Sequence, residues 1–286
     1  MSRIVYVNGD FVPEAEAKVS VFDRGFLMAD GVYEVTSVLG GKLIDFEGHC
    51  LRLARSLAAL DMTNPHSDAE WLALFRQAVD HNAVVDGMVY LQVTRGNPGD
   101  RDFAYPNPAV PPTVVIFTQS KPGLAHSPAA LAGWKVISVP DIRWGRRDIK
   151  TVQLLYPSMA KMAAKAAHVD DAWMVEDGVV TEGTSNNAYI VKGNRIITRQ
   201  LSQDILHGIT RTAVLRFARE AQMEVEERPF TIAEAQGADE AFITSASAFV
   251  TPVIEIDAAA VGTGKPGPLA LRLREIYLDE MHKTAI

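Results

Sequence analysis

One cysteine, Cys50, in a chain of 286 residues excludes an intramolecular disulfide and makes a thiolate metal cluster untenable. The seven histidines show no H-E-x-x-H or comparable ligand spacing, so no metal site is expected. No G-x-S-x-G elbow and no Walker A sequence occur, which sets aside the common serine hydrolases and the P-loop nucleotidases. Basic runs are also missing. The net charge is −7 and the pI near 5.5, the wrong balance for a nucleic-acid partner. No run of about 18 apolar residues is available to cross a membrane. Residues 1–12 lack a basic segment followed by an apolar one, so no signal peptide is expected. The expectation is a soluble, cytoplasmic, acidic protein that meets neither membrane nor nucleic acid.

What is present suits a folded globular chain. Hydrophobic residues make up 48% of the sequence and mean hydropathy is +0.03, enough apolar material for a core. The length favours two domains or one large α/β unit. Ile4 to Val12 reads as a hairpin, because Asn8-Gly9 supplies the positive φ angles of a two-residue turn. Tyr33 to Leu39 and Lys42 to Phe46 repeat that device around Gly40-Gly41. Helices are expected over Glu47 to Leu60 and Trp71 to His81, and strands over Met88 to Thr94 and Thr113 to Thr118. Between these strands lies a loop from Gly96 to Pro112 with five prolines, long enough to be functional. Lys121-Pro122-Gly123 and Ser127-Pro128 mark residues 119–130 as a linker. Beyond it come a strand at Trp134 to Val139, an alanine-rich helix at Pro157 to His168 and hairpins around Asp177-Gly178 and Gly193-Asn194. A helix at Thr210 to Met223, a strand at Ala241 to Thr244 and a closing helix at Pro268 to about His282 follow. The predicted class is α+β in two parts: a smaller α/β domain over 1–118, the linker, and a larger mixed α+β domain over 131–286.

Four segments carry possible chemistry. Gly262-Thr263-Gly264-Lys265-Pro266-Gly267 matches G-x-G-x-x-G. The chain ends before the βαβ unit that a dinucleotide site needs, so a glycine-rich turn into the last helix is the better reading. Lys150 sits between Ile149 and Val152, near Arg143, Arg146 and Arg147 in sequence. Burial and neighbouring cations would free its amine as a nucleophile, although a surface lysine in a basic loop fits the spacing too. In Thr181 to Asn187, Glu182 is either a catalytic carboxylate or a turn residue. Thr210 suits the N-cap of its helix, and the N–H groups there would suit a phosphate.

Taken together the last three of these segments resemble the fold-type IV pyridoxal-phosphate (PLP) enzymes, the class IV aminotransferases. The stretches concerned are Asp23-Arg24-Gly25, Asp30-Gly31-Val32-Tyr33-Glu34, His49-Cys50-Leu51-Arg52-Leu53, Asp148-Ile149-Lys150, Thr181-Glu182-Gly183 with Asn187, Gly208-Ile209-Thr210-Arg211 and Thr251-Pro252-Val253. They run in family order over essentially the whole chain, and look most like the D-amino-acid transaminase branch. The resemblance implies PLP, bound in the C-terminal domain, as a Schiff base on Lys150, which also shuttles the proton. It implies Glu182 at the pyridine nitrogen, and Arg52, Ile209 and Thr210 at the phosphate. Ser245 or Ser247 would stand in for a threonine that relatives carry where this chain has Ala246. Leu206 would pack on the ring. Tyr33 and Arg101 would take the substrate carboxylate, with Phe103 where D-specific relatives place a histidine, and Asp102 competing for Arg101. The implied activity moves an amino group between a D-amino acid such as D-alanine and a 2-oxo acid, in a homodimer. An (R)-amine or branched-chain amino-acid transaminase is the alternative, and an aminodeoxychorismate lyase a more distant one.

Overall fold

The computed structural model describes residues 2–286, which fold as two compact units of mixed α+β structure, each built on its own sheet. Residues 2–122, Ile149–Gln153 and Thr284–Ile286 form the first. Gly123–Asp148 and Leu154–Lys283 form the second. The boundary at Pro122 falls inside the expected linker, but the division is not a single cut. Residues 149–153 return to the first unit because Ile149 is buried in its core. Their backbone also pairs with it: Tyr33 N–H donates to the Lys150 carbonyl (3.0 Å) and Val152 N–H to that of Gly31 (3.1 Å).

The first unit contains strands β1 (Ile4–Val7), β2 (Asp10–Pro13), β3 (Gly31–Leu39), β4 (Lys42–Leu43), β5 (Gly87–Thr94) and β6 (Thr113–Ser120). They form an antiparallel sheet in the order β2-β1-β6-β5-β3-β4. Its helices are α1 (Arg24–Met28), α2 (Phe46–Ala59) and α3 (Asp68–His81). Phe46 opens α2 rather than extending β4, because Asp45 turns the chain at φ 53° and Phe46 joins the core against Phe75. Leu53 and Leu57 of α2 and Trp71 and Phe75 of α3 bury against Val32, Val38, Val89 and Leu91 of the sheet. Alternation along β3 sends Tyr33 to the opposite face. There it begins an aromatic row, Tyr33–Tyr90–Phe117, with ring centres 5.6 and 4.6 Å apart.

The second unit contains α4 (Pro128–Ala132), β7 (Trp134–Pro140), α5 (Leu155–Ala166), β8 (Asp171–Glu176), β9 (Val179–Gly183), β10 (Asn187–Lys192) and β11 (Arg195–Thr198). Next come α6 (Ile209–Glu220), β12 (Glu224–Glu227), α7 (Ile232–Gln236), β13 (Glu240–Ser245), β14 (Phe249–Ile256), β15 (Ala259–Ala260) and α8 (Pro268–Thr284). The sheet runs β12-β11-β10-β13-β14-β7-β8-β9, with β15 against β14. Trp173, Ile190, Phe230, Ile243 and Val253 lie in its core. The G-x-G-x-x-G segment is indeed the turn into α8. Glu240 accepts from the Leu269 and Ala270 N–H groups at that helix start, and a Cβ on Gly267 would strike its carboxylate. Helix α6 begins at Ile209 with Gly208 as N-cap, not Thr210. A side chain at Gly208 would lie 2.1 Å from Asn187 Oδ1, so the close approach selects glycine there.

Candidate active site

In the first unit, three of the expected residues share one neighbourhood. The Lys150 ammonium lies 4.1 Å from the centre of the Tyr33 ring, where a cation–π contact holds it. Its backbone N–H donates to Ser56 Oγ (3.3 Å), on the face of α2 that carries Arg52 one turn earlier. Arg52 is buried and grips Glu34 through both carboxylate oxygens at 2.7 Å, while His49 Nδ1 lies 2.7 Å from Glu34 Oε2. Burial pushes the Glu34 carboxyl up, but the guanidinium and imidazole beside it more than offset this and hold it far below the usual carboxylate range. The bridge Val32–Thr151 fixes the Lys150 segment against the start of β3.

Arg101 lies in the proline-rich loop, exposed, with its guanidinium over the Phe103 ring at 4.8 Å. Asp102 does not compete for it. Asp102 Oδ1 accepts from the Ala104 N–H (3.1 Å), a local turn that suits a carboxylate two residues upstream.

In the second unit, Glu182 is fully buried at the end of β9. Oε1 accepts from Arg143 Nη1 (2.6 Å), and Oε2 from Asn187 Nδ2 (3.1 Å) and the Leu206 N–H (3.1 Å). Burial raises its pKa and Arg143 opposes that rise. The single donor on Oε1 leaves room for another, which suits a protonated ring nitrogen. Leu206 is half-buried beside it, and three residues on α6 starts without a side-chain cap. Thr210 is buried in the first turn of α6, with no hydrogen-bond partner for its hydroxyl among the described residues. Uncapped N–H groups and an unpartnered hydroxyl at a helix start suit a phosphate. Ser245, the last residue of β13, and Ala246 after it are half-buried, with Ser245 Oγ accepting from the Ala248 N–H (3.0 Å).

The arginines near Lys150 in sequence are not free cations. Arg143 is paired with Asp141 and Glu182, Arg146 with Asp148, and Arg147 with Glu176, all within the second unit. Their nearness to Lys150 in sequence was misleading because each has its own carboxylate. Sequence reasoning gave no role to Glu34, His49 or Ser56, and did not pair Arg143 with Glu182. Glu34 could have been found: it is a carboxylate on the apolar side of an alternating strand, which demands a buried partner.

The sequence pattern of the family described as amino-transferase class IV matches residues 31–256. This chain is a class IV aminotransferase. It is 38% identical to a D-alanine aminotransferase of Staphylococcus aureus over 273 residues, 95% of each chain. Identity to a D-alanine aminotransferase of Bacillus licheniformis is 39% over 285 residues, 98% of this chain and 99% of that one. Among solved structures, the T.th. branched-chain amino acid aminotransferase with pyridoxamine 5'-phosphate superposes with a TM-score of 0.88. It is 28% identical, and the match covers 98% of this aminotransferase and 94% of that chain. The Escherichia coli branched-chain enzyme, at 20% identity, gives a TM-score of 0.90 over 98% and 95% of the two chains and so shares the fold. Among the described residues no helix is long and apolar enough to cross a membrane, and no cluster of side chains could hold a metal ion.

Proposed function

We propose that this aminotransferase uses PLP to move an amino group from a D-amino acid such as D-alanine to a 2-oxo acid. The observation that carries the reading is the near full-length likeness to two D-alanine aminotransferases, in a chain whose Lys150 amine is held against Tyr33. The cofactor, when bound, supplies the electron sink that makes loss of the substrate α-proton possible. Lys150 would hold it and carry the proton between the substrate α-carbon and the cofactor C4′ carbon. Glu182, paired with Arg143, would accept the hydrogen bond of the protonated pyridine nitrogen. Arg52, Thr210 and the N–H groups of Ile209 and Thr210 would bind the phosphate, joined by the Ser245–Ala246 turn. Leu206 would pack on the ring, and Tyr33 and Arg101 would take the substrate carboxylate. The chain acts as a homodimer in this reading. Leu155, Met159 and Met162 support it: they stand on one side of α5 at 77, 56 and 60% exposure, an apolar row for a second copy.

The test is a substrate screen with purified protein, PLP and 2-oxoglutarate. Pyruvate should form from D-alanine and not from L-alanine. Turnover of L-leucine or (R)-1-phenylethylamine with none of D-alanine would replace this reading by the branched-chain or (R)-amine alternative, for which Phe103 in place of histidine leaves room. Light scattering should give twice the 31.2 kDa chain mass.

A further inference from the structure

The Asp23-Arg24-Gly25 segment has no part in the roles assigned so far, yet its arginine is among the most engaged side chains of the first unit. Arg24 is 3% exposed. Its Nε pairs with Asp30 Oδ2 at 2.7 Å, and its terminal nitrogens reach three consecutive carbonyls of the proline-rich loop: Asp102 (2.5 Å), Phe103 (3.4 Å) and Ala104 (3.1 Å). Its own N–H donates to the Gly96 carbonyl (2.9 Å), at the start of that loop. Asp30 Oδ2 also takes Arg95 Nε at 2.8 Å, and the Arg95 guanidinium covers the Tyr105 ring at 3.5 Å. One carboxylate, its side chain 10% exposed, thus holds two arginines, and both hold the same stretch of loop. The neighbours fix Arg24 in turn. Asp23 accepts from the Gly25 N–H and from Thr94 Oγ1, both at 2.8 Å, and a side chain at Gly25 would run into Thr94 at 2.3 Å.

Arg101 and Phe103 are exposed, and apart from the Asp102 turn the segment between them has no regular structure. We propose that Arg24 is a positioning residue for substrate selection: by binding the carbonyls of Asp102, Phe103 and Ala104 it fixes the direction in which Arg101 and the Phe103 ring face the substrate. The inference rests on the reading of Arg101 as a carboxylate contact. It holds whichever copy of the chain binds the substrate that this loop faces, because every contact named lies within one unit. A fork is needed for the task. Lysine could keep the charge opposite Asp30 but cannot span three carbonyls from a single amine.

The test uses the PLP-loaded enzyme and three variants: Arg24→Lys, Arg101→Ala and the two combined. Arg24→Lys should raise KM for D-alanine roughly tenfold with kcat nearly kept, as expected of a binding group displaced but still present. In the Arg101→Ala background the same change should add nothing to KM, since the two residues act through one contact. Tyr105→Leu removes the half-exposed anchor of the loop and leaves the buried cluster whole. It should raise the same KM by a smaller factor, and it decides the matter if Arg24→Lys does not fold. Additive KM effects in the double variant, or a fall in kcat and cofactor content without a change in KM, would reduce Arg24 to a structural role. A KM raised by Arg101→Ala but untouched by Arg24→Lys and Tyr105→Leu overturns the positioning role alone. A KM that Arg101→Ala itself leaves unchanged overturns the reading of Arg101 and this proposal with it.

Discussion

Glu34 shows what one charged residue on an apolar strand face requires. With a side chain 1% exposed, it survives burial only because Arg52 and His49 surround both its oxygens. Removing one partner of such a pair leaves an uncompensated buried charge, so Glu34→Gln should cost about 3–5 kcal/mol in urea unfolding. The sign of its pH dependence follows from its depressed pKa. The stabilisation is fully present above the unfolded-state pKa of about 4.3 and is lost as pH falls below that, towards the lower folded-state value. The acid side of the stability profile should therefore be shallower in Glu34→Gln than in the parent, and parallel curves would deny the pair its role. Close by on α2, burial pushes the Cys50 thiol up to about 12. Iodoacetamide should leave it unlabelled in the native protein and label it in urea. At this scale the sequence was informative about residue type and poor about partners. Lys150 and Glu182 stood out, but the arginines beside Lys150 in the chain answer to carboxylates at 141, 148, 176 and 182.

Helices and hairpins whose apolar period was complete were legible, down to the turns at Asp177-Gly178 and Gly193-Asn194. Strand β14 was not, since Pro252 in its middle argues against an interior strand. It is nevertheless interior, between β13 and β7. The start of α6 was misjudged by two residues, because threonine is the commoner cap and only tertiary contact explains Gly208. That contact makes a prediction. In Gly208→Ala the new Cβ must displace Asn187, whose Nδ2 donates to both Glu182 and the Leu206 carbonyl. Overpacking should cost about 1–3 kcal/mol, and cofactor affinity should fall as Glu182 loses a donor. Gly145→Ala, with nothing within 4 Å of the added carbon, serves as the control and should be neutral in both measurements.

For the whole molecule, two sheets with separate cores could be anticipated from runs of strands on either side of a proline-glycine stretch. The return of Ile149–Gln153 to the first unit could not, since five residues carry no period and owe their place to Ile149 and to backbone pairing with β3. That return places Lys150 on a bridge to β3 rather than in a loose loop, and it makes the cofactor's role in stability separable from the lysine's. Lys150→Ala removes only a cation–π contact of ~0.5–2 kcal/mol from the cofactor-free protein. Its melting temperature without PLP should then fall by no more than a few degrees. The cofactor acts differently. A ligand at 100 times its dissociation constant stabilises the folded state by about 2.7 kcal/mol, and covalent attachment adds to that. Wild-type protein should accordingly gain several degrees on adding excess PLP. In Lys150→Ala most of that increment should vanish, together with PLP retention after borohydride reduction and gel filtration. An increment equal in the two proteins, or reduced label still fixed to the variant, would move the cofactor to another amine and take the assignment of Lys150 with it.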